Sequence, residues 1–375
     1  MDEQYMKRVL HLAEKGIGKT SPNPMVGAVI VKNGEMIGEG FHEKYGQAHA
    51  EVNAIRNAVE SVEGSTIYVN LEPCSHYGKT PPCVDLIIEK RLERVVIGSL
   101  DPNPRVAGRG IKKLENAGIE VTLGLLEEEC KKLNEVFMHY ITTKHPFVVL
   151  KTAMSLDGKI ATVLGESKWI TGEEARLDVQ GLRNRLTAIM VGVNTVITDN
   201  PQLTCRLKDG RNPIRIIVDS RLRIPHDSWV LKNQVENQTI IATTELAPKV
   251  ALNQLEGMGA KIMICNKKND QVDLHDLMSR LGALNIDSIL LEGGSTLNDS
   301  ALANGIVHKM ITYVAPMIIG GATSKTPVGG MGIATLDQAY PLNIDSMERV
   351  GYDMKITAYL KQREEPYCLP ELLKN

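Results

Sequence analysis

His49-Ala50-Glu51, followed by Glu72-Pro73-Cys74 and then by Cys83, is the stretch on which the reading of this 375-residue chain turns. It supplies one imidazole, two thiols and a carboxylate. Zinc held by three such protein ligands keeps a fourth tetrahedral position open for water and lowers that water's pKa from about 15.7 toward about 7. The other use of the same donors is a closed structural site, for which His42 or His76 could supply a fourth ligand. A closed site leaves Glu51 without a role and gives no reason for the polar insert Ser75-His76-Tyr77-Gly78-Lys79, so the catalytic reading is the stronger one.

Around these residues the local pattern places the pocket. Met6, Val9, Leu10 and Ala13 share a helical face, Val26 to Val31 read as a strand, and Asn33-Gly34 turns the chain into Glu35 to Phe41. Residues from His49 to Val59 read as helix, Thr66 to Leu71 as strand, Cys83 to Lys90 as helix and Arg94 to Ile97 as strand. A helix near Gly110 to Ala117 and a strand at Ile119 to Thr122 complete a mixed sheet flanked by helices. The positive ends of helices favour thiolates, which suits Cys83 as an anionic ligand. Because residues i and i+2 do not share a helical face, His49 and Glu51 border one cavity only if the metal lies off the helix end.

The whole chain narrows the partners. Lys plus Arg total 43 against 45 for Asp plus Glu, so no net positive field is present to hold a polyanion, and no nucleic-acid partner is expected. The six cysteines, at 74, 83, 130, 205, 265 and 368, form no paired framework, which fits a reducing compartment, and cytoplasmic residence is expected. No signal peptide is read at the acidic start Met1-Asp2-Glu3, and no segment is apolar over the eighteen or so residues a membrane span needs. Aromatic residues are 4 % of the chain, so the cores must be built from aliphatic side chains and Trp169 stands out. A chain of this length predicts two domains.

The pattern resets at Thr142-Thr143-Lys144-His145-Pro146, giving domains over 1–145 and 146–363 and a tail over 364–375. In the second domain strands at Phe147 to Ala153, Ile214 to Val218, Thr239 to Ala242, Lys261 to Ile264, Ser288 to Leu291 and Lys309 to Val314 alternate with helical stretches. This predicts an α/β domain with a largely parallel sheet and antiparallel strands near Arg349 and Thr357 at its edge. No Gly-x-Gly-x-x-Gly follows its first strand, which argues against a Rossmann domain. Leu291-Glu292-Gly293-Gly294-Ser295-Thr296-Leu297 is a strand passing through two glycines into a helix, readable equally as an ordinary turn or as a pyrophosphate cradle. Polar clusters are expected at strand ends, among them Lys151, Ser155 to Lys159 and Ser167 to Thr171.

Zinc deaminases that act on nucleobases place a Glu two residues after the His, where it moves protons without binding metal. Glu51 stands there. Their general signature is Pro-Cys-x-x-Cys, whereas eight residues, Ser75 to Pro82, separate the cysteines here. The run Pro73-Cys74-Ser75-His76-Tyr77-Gly78-Lys79-Thr80-Pro81-Pro82-Cys83, with Asn23-Pro24-Met25-Val26-Gly27-Ala28 and Asp101-Pro102-Asn103-Pro104, resembles the deaminase half of the bifunctional riboflavin-biosynthesis deaminase-reductases. Lys151, Ser155 to Lys159, Ser167 to Thr171 and Val193 to Arg206 resemble the reductase half, so the resemblance spans nearly the whole chain and fades after Gly332.

The resemblance implies a cytidine-deaminase-like three-layer αβα domain followed by a dihydrofolate-reductase-like α/β domain. It implies zinc-dependent deamination of a diamino-ribosylamino-pyrimidinone 5′-phosphate, then NADPH-dependent reduction of the ribosyl to a ribityl chain, giving an amino-ribitylamino-uracil 5′-phosphate. On this basis His49, Cys74 and Cys83 are zinc ligands and Glu51 the proton carrier. Asn23, His42, His76, Lys79, Asp101 and Asn103 line the first substrate's pocket. Ala153, Trp169, Thr195, Asp199, Ser220, Gly293, Gly294, Ser295, Thr296 and Leu297 match cofactor positions, and Ser167, Arg183, Leu203, Arg206 and Glu292 match positions for the second substrate. The arginines suit bidentate phosphate binding, and Lys151, placed at a strand end, is the candidate to deliver a proton to the heteroatom at the ribose carbonyl. Trp169 is otherwise a core aromatic, Lys79 a solvated surface lysine and Lys151 a salt-bridged one. Small-molecule ribotides are the expected partners, with no membrane partner and with a homo-oligomer expected.

Two other readings share part of this text. A base-editing deaminase acting on RNA would keep His49, Glu51 and the cysteines, but the charge balance and the scarcity of stacking aromatics weigh against it. A non-catalytic zinc scaffold with a nucleotide-sensing second half would hold zinc without turnover.

Overall fold

The computed structural model describes residues 1–75, 77, 81–103 and 107–361. The first layer system contains α1 (Asp2–Glu14), β1 (Gly27–Lys32), β2 (Glu35–Phe41), α2 (Ala50–Arg56), β3 (Thr66–Leu71), α3 (Cys83–Glu89), β4 (Arg94–Ser99), α4 (Arg109–Asn116), β5 (Glu120–Leu123), α5 (Glu127–Leu133) and α6 (Glu135–Thr143). Its five strands run in the order β2-β1-β3-β4-β5. β1 is antiparallel to both neighbours, and the β3-β4-β5 side is parallel. Strands β1, β3 and β4 are apolar on both faces because both are covered. On one face Met6, Val9 and Leu12 of α1 and Cys130 of α5 pack on Val29, Tyr68 and Val96. On the other, Ala50 and Ala54 of α2, Val84 and Ile87 of α3 and Leu114 of α4 pack on Ala28, Ile67, Val69, Val95 and Ile97. This is the three-layer αβα arrangement.

The second system contains β6 (Phe147–Ser155), α7 (Glu173–Arg185), β7 (Ala188–Gly192), α8 (Val193–Asp199), β8 (Ile214–Val218), β9 (Thr239–Thr243), α9 (Lys249–Gly257), β10 (Lys261–Ile264), β11 (Lys267–Lys268), β12 (Gln271–Val272), α10 (Leu274–Ala283), β13 (Ser288–Leu291), α11 (Ser295–Ala303), β14 (Lys309–Ala315), β15 (Leu342–Val350) and β16 (Asp353–Leu360). Nine strands form one sheet in the order β10-β9-β8-β7-β13-β6-β14-β16-β15. All neighbours are parallel except β14-β16 and β15-β16. The predicted largely parallel sheet with an antiparallel edge is present.

Two departures from the sequence reading matter. β7, a central strand, is absent from that reading because Ala188-Ile189-Met190-Val191 is a short apolar run with no period of its own. β6 continues to Ser155, so Lys151 lies in the middle of a strand and not at its end.

The two systems share a polar seam. Lys309 Nζ lies 2.7 Å from Glu135 Oε1, the Tyr359 hydroxyl donates to Glu135 Oε2 at 2.5 Å, and the Tyr140 hydroxyl donates to the Gly282 carbonyl at 2.9 Å.

Candidate active sites

His49 caps the N-terminus of α2 in extended backbone, and Glu51 is the second residue of that helix. Cys83 opens α3, and Cys74 sits in the loop that leads to it. Four backbone amides fix that loop. Glu72 is buried and accepts the amides of Gly108 and Gly110 at the start of α4, at 3.0 Å each. The Val84 amide donates to the Cys74 carbonyl at 3.2 Å, and the Cys83 amide to Cys74 Sγ at 3.3 Å. The loop therefore leads both sulfurs to one point. One ligand atom each from His49, Cys74 and Cys83 falls within 4.8 Å of the others, with His49 Nδ1 3.3 Å from Cys83 Sγ and 3.5 Å from Cys74 Sγ. Two sulfurs and one imidazole at this mutual spacing fit zinc with an open fourth position.

Glu51 is 3 % exposed, and burial pushes its carboxyl pKa up. The two thiols do not behave alike. Cys74, receiving hydrogen bonds from the Cys83 thiol and from His49, falls to about 4, whereas Cys83, donating to Cys74 and more deeply buried, is raised. Adjacent sulfurs share one proton, and it stays on the thiol facing the Glu51 carboxyl. A bound metal cation displaces that proton.

His42 is buried 5.6 Å, ring to ring, from His49. Its Nδ1 faces the Ala48 carbonyl at 3.0 Å, and since a carbonyl only accepts, the hydrogen sits on Nδ1. Nε2 is then left to accept from Asn23 Nδ2 at 3.4 Å. Asn103 donates its amide to Asp101 Oδ1 at 2.8 Å in the loop after β4. His76 and Lys79 lie outside the described residues.

The second site is a cleft of about 700 Å³ at the carboxyl ends of the parallel strands. It brings together Ser167, Thr195, Asp199, Ser220, Gly294, Ser295, Thr296 and Leu297. Gly293 has φ +103°, open to glycine and strained for other residues, and a side chain on Gly294 would come within 3.2 Å of the Thr195 hydroxyl. The turn is therefore a close-approach turn. Trp169 is 65 % exposed, with the Arg176 guanidinium 4.7 Å from its ring centre, so it is no core aromatic.

Arg183, Glu292 and Lys151 form a group of their own. Arg183 Nε and Nη2 each reach a Glu292 oxygen at 2.8 Å, and Nη1 donates to the Thr204 carbonyl at 3.0 Å. The Arg183 fork thus grips both oxygens of Glu292. Arg206 is exposed and donates its backbone amide to Gln180 Oε1 at 3.0 Å. Burial lowers the Lys151 pKa, helped by the Arg183 charge and opposed by Glu292. The Leu203 side chain is buried in the cluster with Val193, Val196 and Leu222, so only its backbone can meet a substrate. Ala153 is half-buried beside Val149 and Tyr313.

Residues 146–356 match the family described as RibD C-terminal domain, and residues 1–99 match the cytidine and deoxycytidylate deaminase zinc-binding region. The riboflavin biosynthesis protein RibD of Actinobacillus pleuropneumoniae is 52 % identical over 353 residues, 94 % of each chain. The chain belongs to the RibD family. The Escherichia coli member is 40 % identical, covering 94 % of this chain and 98 % of its own. Among solved structures, Acinetobacter baumannii RibD superposes with a TM-score of 0.86 at 37 % identity, covering 96 % of this chain and 99 % of its own. The Thermotoga maritima deaminase/reductase does so with 0.86 at 39 % identity and the same coverage. Like its family, the chain is a bifunctional deaminase-reductase of riboflavin biosynthesis with a zinc-binding deaminase domain. The αβα and reductase folds expected from the sequence are those of RibD structures.

The sequence reading missed several groups that the RibD fold brings to the sites. Arg223 and Gln271 line the second cleft, and Glu72 holds the Cys74 loop. Only Glu72 has a local signal, its place in Glu-Pro-Cys; the others converge from distant loops.

Proposed function

We propose that the first site removes the ring amino group of a diamino-ribosylamino-pyrimidinone 5′-phosphate and that the second reduces the ribosyl chain of the product to ribityl with NADPH. The observation that carries the reading is the convergence of His49, Cys74 and Cys83 beside a buried carboxyl, in a chain that joins this site to a reductase domain. The name of the Thermotoga protein, a diaminohydroxyphosphoribosylaminopyrimidine deaminase and 5-amino-6-(5-phosphoribosylamino)uracil reductase, supports the substrates.

Zinc on those three ligands would supply Lewis acidity that makes hydroxide available at neutral pH. Glu51 takes the proton from the attacking water and passes it to the ring nitrogen and then to the departing amine, and its raised pKa suits it to carry that proton. Asn23 and His42 hold the pyrimidine edge, with Asp101, Asn103, His76 and Lys79 completing the pocket.

In the second site NADPH would supply the hydride. Thr195, Asp199, Ser220 and the turn from Gly293 to Leu297 hold the cofactor, with Trp169 and Ala153 at its margin. Ser167, Arg183, Arg206, Glu292 and the Leu203 backbone hold the ribotide, Arg206 taking the phosphate and Arg183 also orienting Glu292. Lys151 donates a proton to the oxygen or nitrogen on the reduced carbon; its lowered pKa makes it a readier donor than a solvated lysine.

The domains are proposed as 1–145 and 146–363, with a tail over 364–375. The cytoplasm is proposed as the working compartment, supported by five free cysteines among the described residues. A homo-oligomer is also proposed. Leu342, Ile344 and Met347 are 42, 61 and 63 % exposed on the edge strand β15, and Ile344→Lys should give a lighter particle by light scattering.

A coupled assay tests the whole. Purified protein given the diamino ribotide should release ammonia and then consume NADPH, whereas Glu51→Gln should lose ammonia release yet still reduce the deaminated intermediate. No ammonia from zinc-loaded wild type would refute the substrate.

A further inference from the structure

Two residues 266 positions apart meet where the systems touch: the Ser21 hydroxyl donates to Asp287 Oδ2 at 2.5 Å. Asp287 is buried and also accepts from the hydroxyls of Thr187, at 2.5 Å, and Ser288, at 2.8 Å. A buried carboxylate that collects three hydroxyl donors is a fixed point, because each bond is charge-assisted. Ser21 belongs to the loop between α1 and β1, which Gly18 presses against the second system: a Cβ on Gly18 would sit 2.5 Å from the Asn184 carbonyl oxygen of α7.

The same loop carries Asn23. Its amide closes a turn on the Thr20 carbonyl at 2.8 Å, and its side chain meets His42, which packs on the zinc ligand His49. A path therefore runs from Asp287 to Ser21 through a hydrogen bond, along the backbone of the turn from Thr20 to Asn23, and from Asn23 to His42 through a second hydrogen bond. Asp287 immediately precedes β13, and β13 leads directly into Glu292 in the other site.

We propose that the reductase half completes the deaminase pocket: Asp287, acting through Ser21, is a positioning residue that holds Asn23 against the pyrimidine. The inference rests on the assignment of Asn23 to that pocket. It predicts a separation of kinetic constants, since a displaced Asn23 weakens substrate binding while leaving the metal ligands and Glu51 in place.

The test uses full-length, zinc-loaded Ser21→Ala, Ser21→Thr, Asp287→Asn and Asn23→Ala proteins. Ser21→Ala should raise the deamination KM roughly ten-fold, the equivalent of one charge-assisted hydrogen bond, with kcat little changed. Its reduction of supplied deaminated intermediate should match wild type, and its thermal midpoint should fall by only a few degrees. Ser21→Thr should restore the KM, and Asp287→Asn, which keeps one acceptor oxygen, should fall between. A wild-type deamination KM in both Ser21→Ala and Asp287→Asn, with a raised KM in Asn23→Ala, overturns the link. An unchanged KM in Asn23→Ala overturns the pocket assignment and the inference with it. A loss shared equally by both activities and the thermal midpoint marks general loosening and also overturns it.

Discussion

Arg183 holds both oxygens of Glu292 at 2.8 Å, and neither side chain is more than 14 % exposed. Burial would raise the Glu292 pKa, but Arg183 and Lys151 outweigh it and hold it at about 2. Removing one partner of such a pair leaves the other charge buried and alone. Arg183→Ala is expected to cost about 3 kcal/mol of stability in guanidinium melts. It should also impair NADPH oxidation strongly while zinc-dependent ammonia release continues, and Arg183→Lys, lacking the fork, should restore little of either loss.

The seam beneath β6 predicts acid sensitivity. His139 and His308 lie 4.1 Å apart, ring to ring, and His308 Nδ1 accepts the Val148 amide at 3.0 Å. Burial drives their pKa values down, to about 4 for His139 and about 3 for His308. The unfolded chain binds protons at these sites below about pH 6.5, where the folded chain does not. Stability should therefore fall as pH drops from about 6.5 toward 4, by up to about 1.4 kcal/mol per pH unit for each histidine. His308→Asn, whose amide oxygen can accept the same bond, should flatten the slope of denaturation midpoint against pH. An unchanged slope would remove His308 as its source.

Metal removal should separate the activities. After dialysis against a chelator, ammonia release is expected to stop and NADPH oxidation on the deaminated intermediate to persist. Restoring one equivalent of zinc should recover the first, and Cys83→Ser should retain less zinc by elemental analysis.

Gly293 sits at φ +103°, so Gly293→Ala should cost about 1–2 kcal/mol. The greater effect should be on the turn itself: the KM for NADPH is expected to rise while deamination is untouched, which steady-state kinetics on each half-reaction would show.

Most of the first site is legible along the chain because its ligands come from two short motifs at helix starts, His49-Ala50-Glu51 and the loop from Glu72 to Cys83. Local text specifies local geometry. Strands Thr66 to Leu71 and Ile214 to Val218 are legible for the same reason, being apolar runs bounded by turns. What the sequence does not carry is pairing over distance. Nothing near Arg183 says that Glu292, 109 residues on, occupies its fork, and nothing near Ser21 announces Asp287. Lys151 reads as a strand end because a lone lysine closes an apolar run without ending the strand; β14 continues to pair with β6 as far as Ser155.

The seam also bears on how this enzyme could be taken apart. A cut in the chain near residue 145 would leave Glu135 without Lys309 and Tyr359, and the Tyr140 hydroxyl without the Gly282 carbonyl. Two separately made pieces would each present a wet, charged scar where a covalent connection now keeps the surfaces at high effective concentration. Gene fission at this boundary would therefore yield obligate partners, and the first piece alone would need its polar scar redesigned before it could stand by itself.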